Sequence, residues 1–472
     1  MMRRLAPFVM LAAAGCATLE PTLNQPALPV PASWPVGDPY LRSSEATLPA
    51  VTYAQLFVDP GLQTLIAQGL RNSRDLRTAL YNVEAARAQV RITRANQLPE
   101  VTSSGSARES FNGGSRASGG GFQSSFGANV GVSYDLDLFG RLRSLTRSDQ
   151  DRLFATAAAA RATRLALVGQ IAQAWAEYAA DSTLLAISEQ TVAIAQDSVR
   201  ITNLRLRGGI APRTDLLQAQ QVLETARADA ALQRTNRAQD INLLQLLVGA
   251  PIDVRLLQNS IADANRTLVP LPAGLDSRVL LRRPDVLQAE YNLRAANAQI
   301  GAARAALFPD ISLTGLLGLA STALTGLFSG SAFSASAGAG ITYPIFNAGA
   351  TRARVRQTEA QRQALLSSYE QAIQSAFREV ADALATQGTI GERQRASRAN
   401  VGASAETLRL VQARYRGGID PFLNVLDAQR SYYTAQRSQV AVQLAAATNT
   451  VDLYRALGAD SSLELIPIEP GR

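Results

Sequence analysis

The segment Tyr81-Asn82-Val83-Glu84-Ala85-Ala86-Arg87-Ala88-Gln89-Val90 returns 210 residues later as Tyr291-Asn292-Leu293-Arg294-Ala295-Ala296-Asn297-Ala298-Gln299-Ile300. Between 75–99 and 285–309, eleven of 25 positions are identical. Further on, Arg207-Gly208-Gly209-Ile210-Ala211-Pro212 returns as Arg416-Gly417-Gly418-Ile419-Asp420-Pro421, at an offset of 209. Repeats of 20–50 residues build solenoids. A period near 210 that occurs twice points instead to a protomer with two similar halves.

Each copy carries the same order of elements. A helix of medium length, 72–97 or 284–306, ends at Pro99 or Pro309. Two strand-like segments follow. Then comes a Pro-free stretch rich in Ala, Gln and Arg, 141–207 or 350–416, with high helix propensity throughout. At 1.5 Å per residue, such a helix is roughly 100 Å long. A Gly-Gly turn reverses the chain, and return helices span 212–248 and 420–457. One return helix and one medium helix, end to end, reach roughly 90 Å and can flank one long helix. Globular cores do not need such helices; a rod or tube does.

The strands alternate. From 126 to 138, Phe126, Ala128, Val130, Val132, Tyr134, Leu136 and Leu138 face one way, and Gly127, Asn129, Gly131, Ser133, Asp135 and Asp137 the other. In the second copy Phe333, Ala335, Ala337, Ala339, Ile341, Tyr343 and Ile345 oppose Ser334, Ser336, Gly338, Gly340 and Thr342. Partner strands are expected near 100–108 and 311–319. A half-buried soluble sheet alternates in the same way. Unusual strand length and aromatics near the strand ends favour a membrane barrel. Four strands cannot close a barrel, for which about eight is the practical minimum. Two copies would supply eight strands and three would supply twelve, and geometry does not choose between them.

The N-terminus reads as an export signal. Arg3 and Arg4 precede a short apolar run, Leu5 to Ala14, that is too short to span a bilayer as a helix. Ala13-Ala14-Gly15-Cys16 resembles a bacterial lipobox and implies cleavage before Cys16, with lipid attached there. Ala13 stands where a Leu is usual, so a plain signal peptide is the alternative. Pro21, Pro26, Pro29, Pro31 and Pro35 make the next stretch an extended tether or strap.

Composition then removes most chemistry. There are 46 Lys+Arg, all Arg, with 38 Asp+Glu, no His and one Cys. This excludes a Ser-His-Asp relay, His-ligated metal, a P-loop lysine and an internal disulfide. Hydrolysis by paired carboxylates survives the filter, but no cofactor or metal is expected, and the chain is not read as an enzyme. The net charge of +8 is spread along the chain and interleaved with acids, so a nucleic-acid partner is not expected.

Several segments resemble the outer membrane factor family, the TolC-like channels, and within it the lipoprotein branch typified by OprM and NodT. They are Asn72-Ser73-Arg74-Asp75-Leu76, Tyr134-Asp135-Leu136-Asp137-Leu138-Phe139-Gly140-Arg141, Leu281-Arg282-Arg283-Pro284-Asp285, Ile300-Gly301-Ala302-Ala303-Arg304-Ala305, Tyr343-Pro344-Ile345-Phe346-Asn347-Ala348-Gly349 and Leu426-Asp427-Ala428-Gln429-Arg430-Ser431. The fold class is therefore mainly α with membrane β. The resemblance implies a homotrimer in the outer membrane, with a 12-stranded barrel on a 12-helix periplasmic tunnel. It also implies a periplasmic adaptor (membrane fusion) protein and an inner-membrane resistance-nodulation-division pump as partners. The chain would be their passive exit duct for drugs or other small toxic compounds. A type I protein secretion duct and a structural coiled-coil stalk are the alternatives. The expected division is a signal peptide at 1–15, a lipid-anchored Pro-rich segment at 16–60 and a first repeat at 61–250. A connection at 251–283, a second repeat at 284–458 and a tail at 459–472 complete it.

Leu423, Asp427 and Arg430 lie at i, i+4 and i+7, on one helical stripe. In a trimer they would stack as rings, and rings of charge at a constriction gate ions. The spacing also fits an i,i+3 surface ion pair worth a few tenths of a kcal/mol. The resemblance assigns the stripe to a closed periplasmic aperture, and Tyr415 to a tyrosine that ties neighbouring helices shut. Asp215 is the first-copy counterpart by position. Gly208, Gly209, Gly417 and Gly418 read as helix-ending turns, with adaptor docking as a second role that Ile210 and Ile419 would share as apolar contacts.

Overall fold

The computed structural model describes residues 18–23, 29–31, 33–35, 37, 40, 52–113, 121–269, 277–458 and 460. The signal at 1–15, Cys16 and the tail beyond 460 lie outside them. The chain forms two compact units, one of residues 1–27, 82–156 and 288–369, the other of 28–81, 157–287 and 370–472.

The helices are α1 (Tyr53–Leu56), α2 (Pro60–Asn72), α3 (Arg74–Ala95), α4 (Arg141–Arg207), α5 (Arg213–Val248), α6 (Ile261–Arg266), α7 (Pro284–Ala305), α8 (Ala350–Arg416) and α9 (Phe422–Leu457). The strands are β1 (Glu100–Asn112), β2 (Gly121–Leu136), β3 (Asp310–Ser321) and β4 (Phe333–Thr342). Both 67-residue helices fall on the Pro-free stretches. The helix expected at 72–97 is α3, and α2 before it had no counterpart in the sequence reading. Asp59 caps α2, its carboxylate accepting from Leu62 N at 2.8 Å, with Pro60 in the first turn. None of the described helices is long and apolar enough to cross a membrane.

In the first unit the strands form one antiparallel sheet, in the order β1-β2-β3-β4. β2 and β3 come from different repeats, so their pairing joins the two copies. The register decides what the alternation could only suggest. Val101 pairs with Val132, Val132 with Gly315, and Gly315 with Ala337. Leu136 meets Ile311, which meets Ile341. Paired residues share a face. One face therefore runs Phe126, Val130, Leu317, Ala335 and Phe333 without a charge, and the other carries Asn129, Ser133, Ser312, Ser336 and Asp135. Glu109, near the end of β1, is the charged exception on the apolar side, and Leu316 the large apolar one on the polar side.

Two strand ends differ from expectation. β2 stops at Leu136 and β4 at Thr342, so Asp137, Leu138, Tyr343 and Ile345 leave the alternation. Asp137 does not belong to the polar face of the sheet. Its carboxylate accepts from Leu142 N (3.1 Å) and Arg143 N (2.9 Å), two of the orphan donors at the start of α4. Beside this junction Phe139 stacks on Phe308, centroids 4.5 Å apart. The Pro-rich strap is seated here too: Glu20 pairs with Arg147 at 2.6 Å, and Asn297 Nδ2 donates to Pro21 O at 2.8 Å.

The second unit is helical. Leu62, Leu65 and Ile66 of α2, Ile171 and Trp175 of α4, Leu244 and Val248 of α5 and Ile261 of α6 are fully buried. Trp34 of the strap stacks on Phe377 at 4.6 Å. α5 and α9 both end in a left-handed glycine, Gly249 and Gly458. Arg283 is buried there, bonded to Asp285, to Glu379 and to the carbonyl of Ala456.

Candidate functional site

The two glycine turns lie in the second unit and are built alike. Ile210 N donates to Arg205 O (3.0 Å) and Gly209 N to Leu206 O (3.0 Å). Ile419 N donates to Arg414 O (2.9 Å) and Gly418 N to Tyr415 O (3.0 Å). This pairing of donors satisfies the last carbonyls of each long helix. Only the second glycine of each pair is left-handed, Gly209 at φ +73 and Gly418 at φ +76. At Gly208 and Gly417 an added Cβ would meet nothing closer than 3.5 Å. The backbone therefore requires a glycine at 209 and 418 and leaves 208 and 417 free. Ile210 and Ile419 stand 75% and 66% exposed beside them.

The repeats diverge at the charges next to the turns. Arg205 and Arg414 are equivalent at the 209 offset. Arg414 forms a two-pronged bond with Asp420, at 2.8 and 3.0 Å. This lowers the Asp420 carboxyl below its ordinary value. The first copy has Ala211 in place of Asp420. Arg205, with no such partner in its own turn, reaches the other hairpin. Its Nη2 donates to Tyr415 O (2.8 Å) and Arg416 O (3.1 Å), and its guanidinium sits 4.2 Å from the Tyr415 ring centre. It thereby caps the C-terminus of α8 with positive charge. Sequence reading missed this residue; the register of the repeat, with Asp at 420 and Ala at 211, carried the signal.

Tyr415 is 6% exposed and packs with Ala219, Phe422, Val425 and Leu426. Its ring lies 5.3 Å from that of Phe422, and its hydroxyl is buried with no hydrogen-bond partner among the described residues. The stripe of Leu423, Asp427 and Arg430 runs along α9. Leu423 is 56% exposed, and the Asp427 and Arg430 side chains are separated by 4.0 Å, both largely in solvent. In this chain alone the pair is a loose surface contact. Asp215 lies in the first turn of α5. By the 209 offset its equivalent is Asn424, and the equivalent of Asp427 is Gln218. Behind the stripe, Gln429 Nε2 donates to Ser198 Oγ (3.0 Å). Tyr433 donates to Asp229 (3.0 Å) and lies 3.2 Å from Ser188 Oγ. These bonds tie α9 to α4 and α5.

Elsewhere in this unit Asp240, Asp181 and Glu177 form a cluster of perturbed carboxylates. Burial, with Asp181 and Glu177 nearby, pushes Asp240 up to about 7. Burial likewise raises Asp181 and Glu177.

A profile described as "Outer membrane efflux protein" matches residues 65–250 and 275–459, one match to each repeat. The probable efflux pump outer membrane protein TtgC of Pseudomonas putida is 41% identical over 449 residues, covering 94% of this chain and 92% of that protein. The outer membrane protein OprJ of Pseudomonas aeruginosa is 36% identical over 463 residues, covering 97% and 96%. Among solved structures, the open state of the MtrE outer membrane channel of Neisseria gonorrhoeae has a TM-score of 0.82 at 35% identity, covering 94% of this chain and 98% of that one. CusC, described for transmembrane channel formation, has a TM-score of 0.84 at 36% identity, covering 94% and 100%. The chain belongs to the outer membrane efflux protein family, as a channel of the outer membrane.

Proposed function

We propose that three copies of this chain form a passive exit duct for small toxic compounds, fed by an inner-membrane resistance-nodulation-division pump through a periplasmic adaptor. One observation carries the reading: a four-stranded sheet with one largely apolar face and two unpaired edges, β1 and β4. Long bare edges invite pairing with another chain, and inside a bilayer every backbone group needs a partner. An even strand count makes β1 and β4 antiparallel, so the edges of adjacent copies can continue the same ladder. Three sheets give twelve strands, well above the closure minimum. Cys16 carries the lipid anchor in this reading.

The gate is the stripe of Leu423, Asp427 and Arg430, with Tyr415 tying neighbouring helices and Asp215 of the first copy as a weaker member. Exposure of Leu423 and the weak grip of Asp427 on Arg430 suit side chains that meet their counterparts around an axis. The turns at Gly208, Gly209 and Ile210, and at Gly417, Gly418 and Ile419, receive the adaptor. The test is light scattering on the purified protein in detergent, with pore recordings in planar bilayers. A mass of about three 50.2 kDa chains and discrete conductance steps are expected. A monomer without pores would overturn the reading.

A further inference from the structure

Beside the gate stripe, α4, α5 and α9, with Leu408 of α8, line a half-open cavity of about 280 Å³. Its lining divides into two kinds. Val222, Tyr432 and Tyr433 present apolar and ring surface, whereas Asp229, Asp427 and Gln429 present oxygen. Gln429 is only 8% exposed. Its amide nitrogen is used on Ser198, while its Oε1 is buried with no partner among the described residues. An orphaned buried acceptor is destabilising, and a ligand donor at this place would remove that cost. Asp229 spends one oxygen on the Tyr433 hydroxyl and keeps the other. Arg430 is the single cation of the lining, and it already leans toward Asp427 at 4.0 Å. Two carboxylates, Asp229 and Asp427, thus face one guanidinium, and the lining carries net negative charge. The complementary molecule brings N–H donors and positive charge, with a flat body to lie on the two tyrosine faces. The volume lies just below the usual range for small-molecule sites, enough for about three fused rings.

We propose that this cavity is a binding subsite for planar amphipathic organic cations, set directly against the gate stripe. The inference rests on the duct reading, since it supplies a place where cargo touches the gate. A side chain of a neighbouring copy is the competing occupant and would leave the cavity closed to dye.

The test titrates proflavine, a planar cation, into the full-length protein in detergent at pH 7.5. Fluorescence is followed against a detergent blank, and acridine serves as the neutral comparison. Saturable binding of proflavine is expected. Asp229→Asn, which keeps an acceptor for Tyr433, should weaken proflavine about tenfold and leave acridine unchanged. Val222→Trp should fill the cavity and abolish both. No saturable binding, or wild-type affinity for proflavine in Asp229→Asn, overturns the proposal. So does wild-type affinity in a folded Val222→Trp. Pore recordings on the same preparations separate the two claims: pores without dye binding remove this inference alone, and absence of pores removes the duct.

Discussion

Arg205→Ala should loosen the gate. The side chain gives up two bonds from one cationic nitrogen, at 2.8 and 3.1 Å, and a ring contact at 4.2 Å. A hydrogen bond to a charged group contributes about 1.5–3 kcal/mol and an exposed cation–π contact about 0.5–1. Both bonds leave one nitrogen and count as a single charged bond, so the sum is about 2–4 kcal/mol; Arg205 is half-buried and the lower end applies, about 2 kcal/mol. If opening parts the two hairpins, that energy belongs to the closed state alone, and its loss shifts the equilibrium about 30-fold per protomer. Single-channel recording should show a rare open level become frequent. Arg205→Lys, which keeps the charge but not the planar group over the Tyr415 ring, should fall between the two. An unchanged open fraction in trimeric Arg205→Ala protein would refute the reasoning.

Asp427→Ala with Arg430→Ala should raise single-channel conductance; a wild-type value would place the constriction elsewhere. Gly208→Trp with Gly417→Trp, at positions free of backbone demand, should abolish pump-dependent drug resistance while trimers persist in the membrane, and intact resistance would count against docking there. Gly301→Ala puts a Cβ 2.5 Å from Glu20 Cγ and 2.8 Å from Ser144 Oγ, so the strap must lift. Limited proteolysis should then cut before residue 50 faster than in wild type, and equal rates would sink the strap argument. For Asp240 the folded value near 7 lies above the ordinary 3.8, so the folded state keeps a proton that the unfolded chain releases. The stability this confers is complete below about 4 and lost as pH rises through 7. The melting temperature should fall from pH 5 to pH 8, and Asp240→Asn should flatten that slope.

The long helices were legible because Ala, Gln and Arg runs without Pro leave no other choice, and the glycine pairs mark their ends. Alternation at 126–138 revealed the strands, but not where β2 yields to α4. Asp137 fits the alternation, and only the contacts show that it serves the helix. α2 went unread because Asp59-Pro60, a cap and a first turn, sits in a region taken for tether. At the candidate gate the stripe was visible by spacing. The Arg205 tie was not, since it crosses between residues 210 apart and depends on what Ala211 lacks.

The ladder between β2 and β3 fuses two unequal halves into one inseparable piece. A ring of six interchangeable staves would have to loosen everywhere at once. Three fused pairs can assign different duties, one hairpin braced internally by Arg414 and Asp420 and the other reaching over by Arg205. Duplication followed by divergence of a few charges thus gives each copy of the proposed duct one hairpin that braces itself and one that leans on its neighbour, without lengthening the chain.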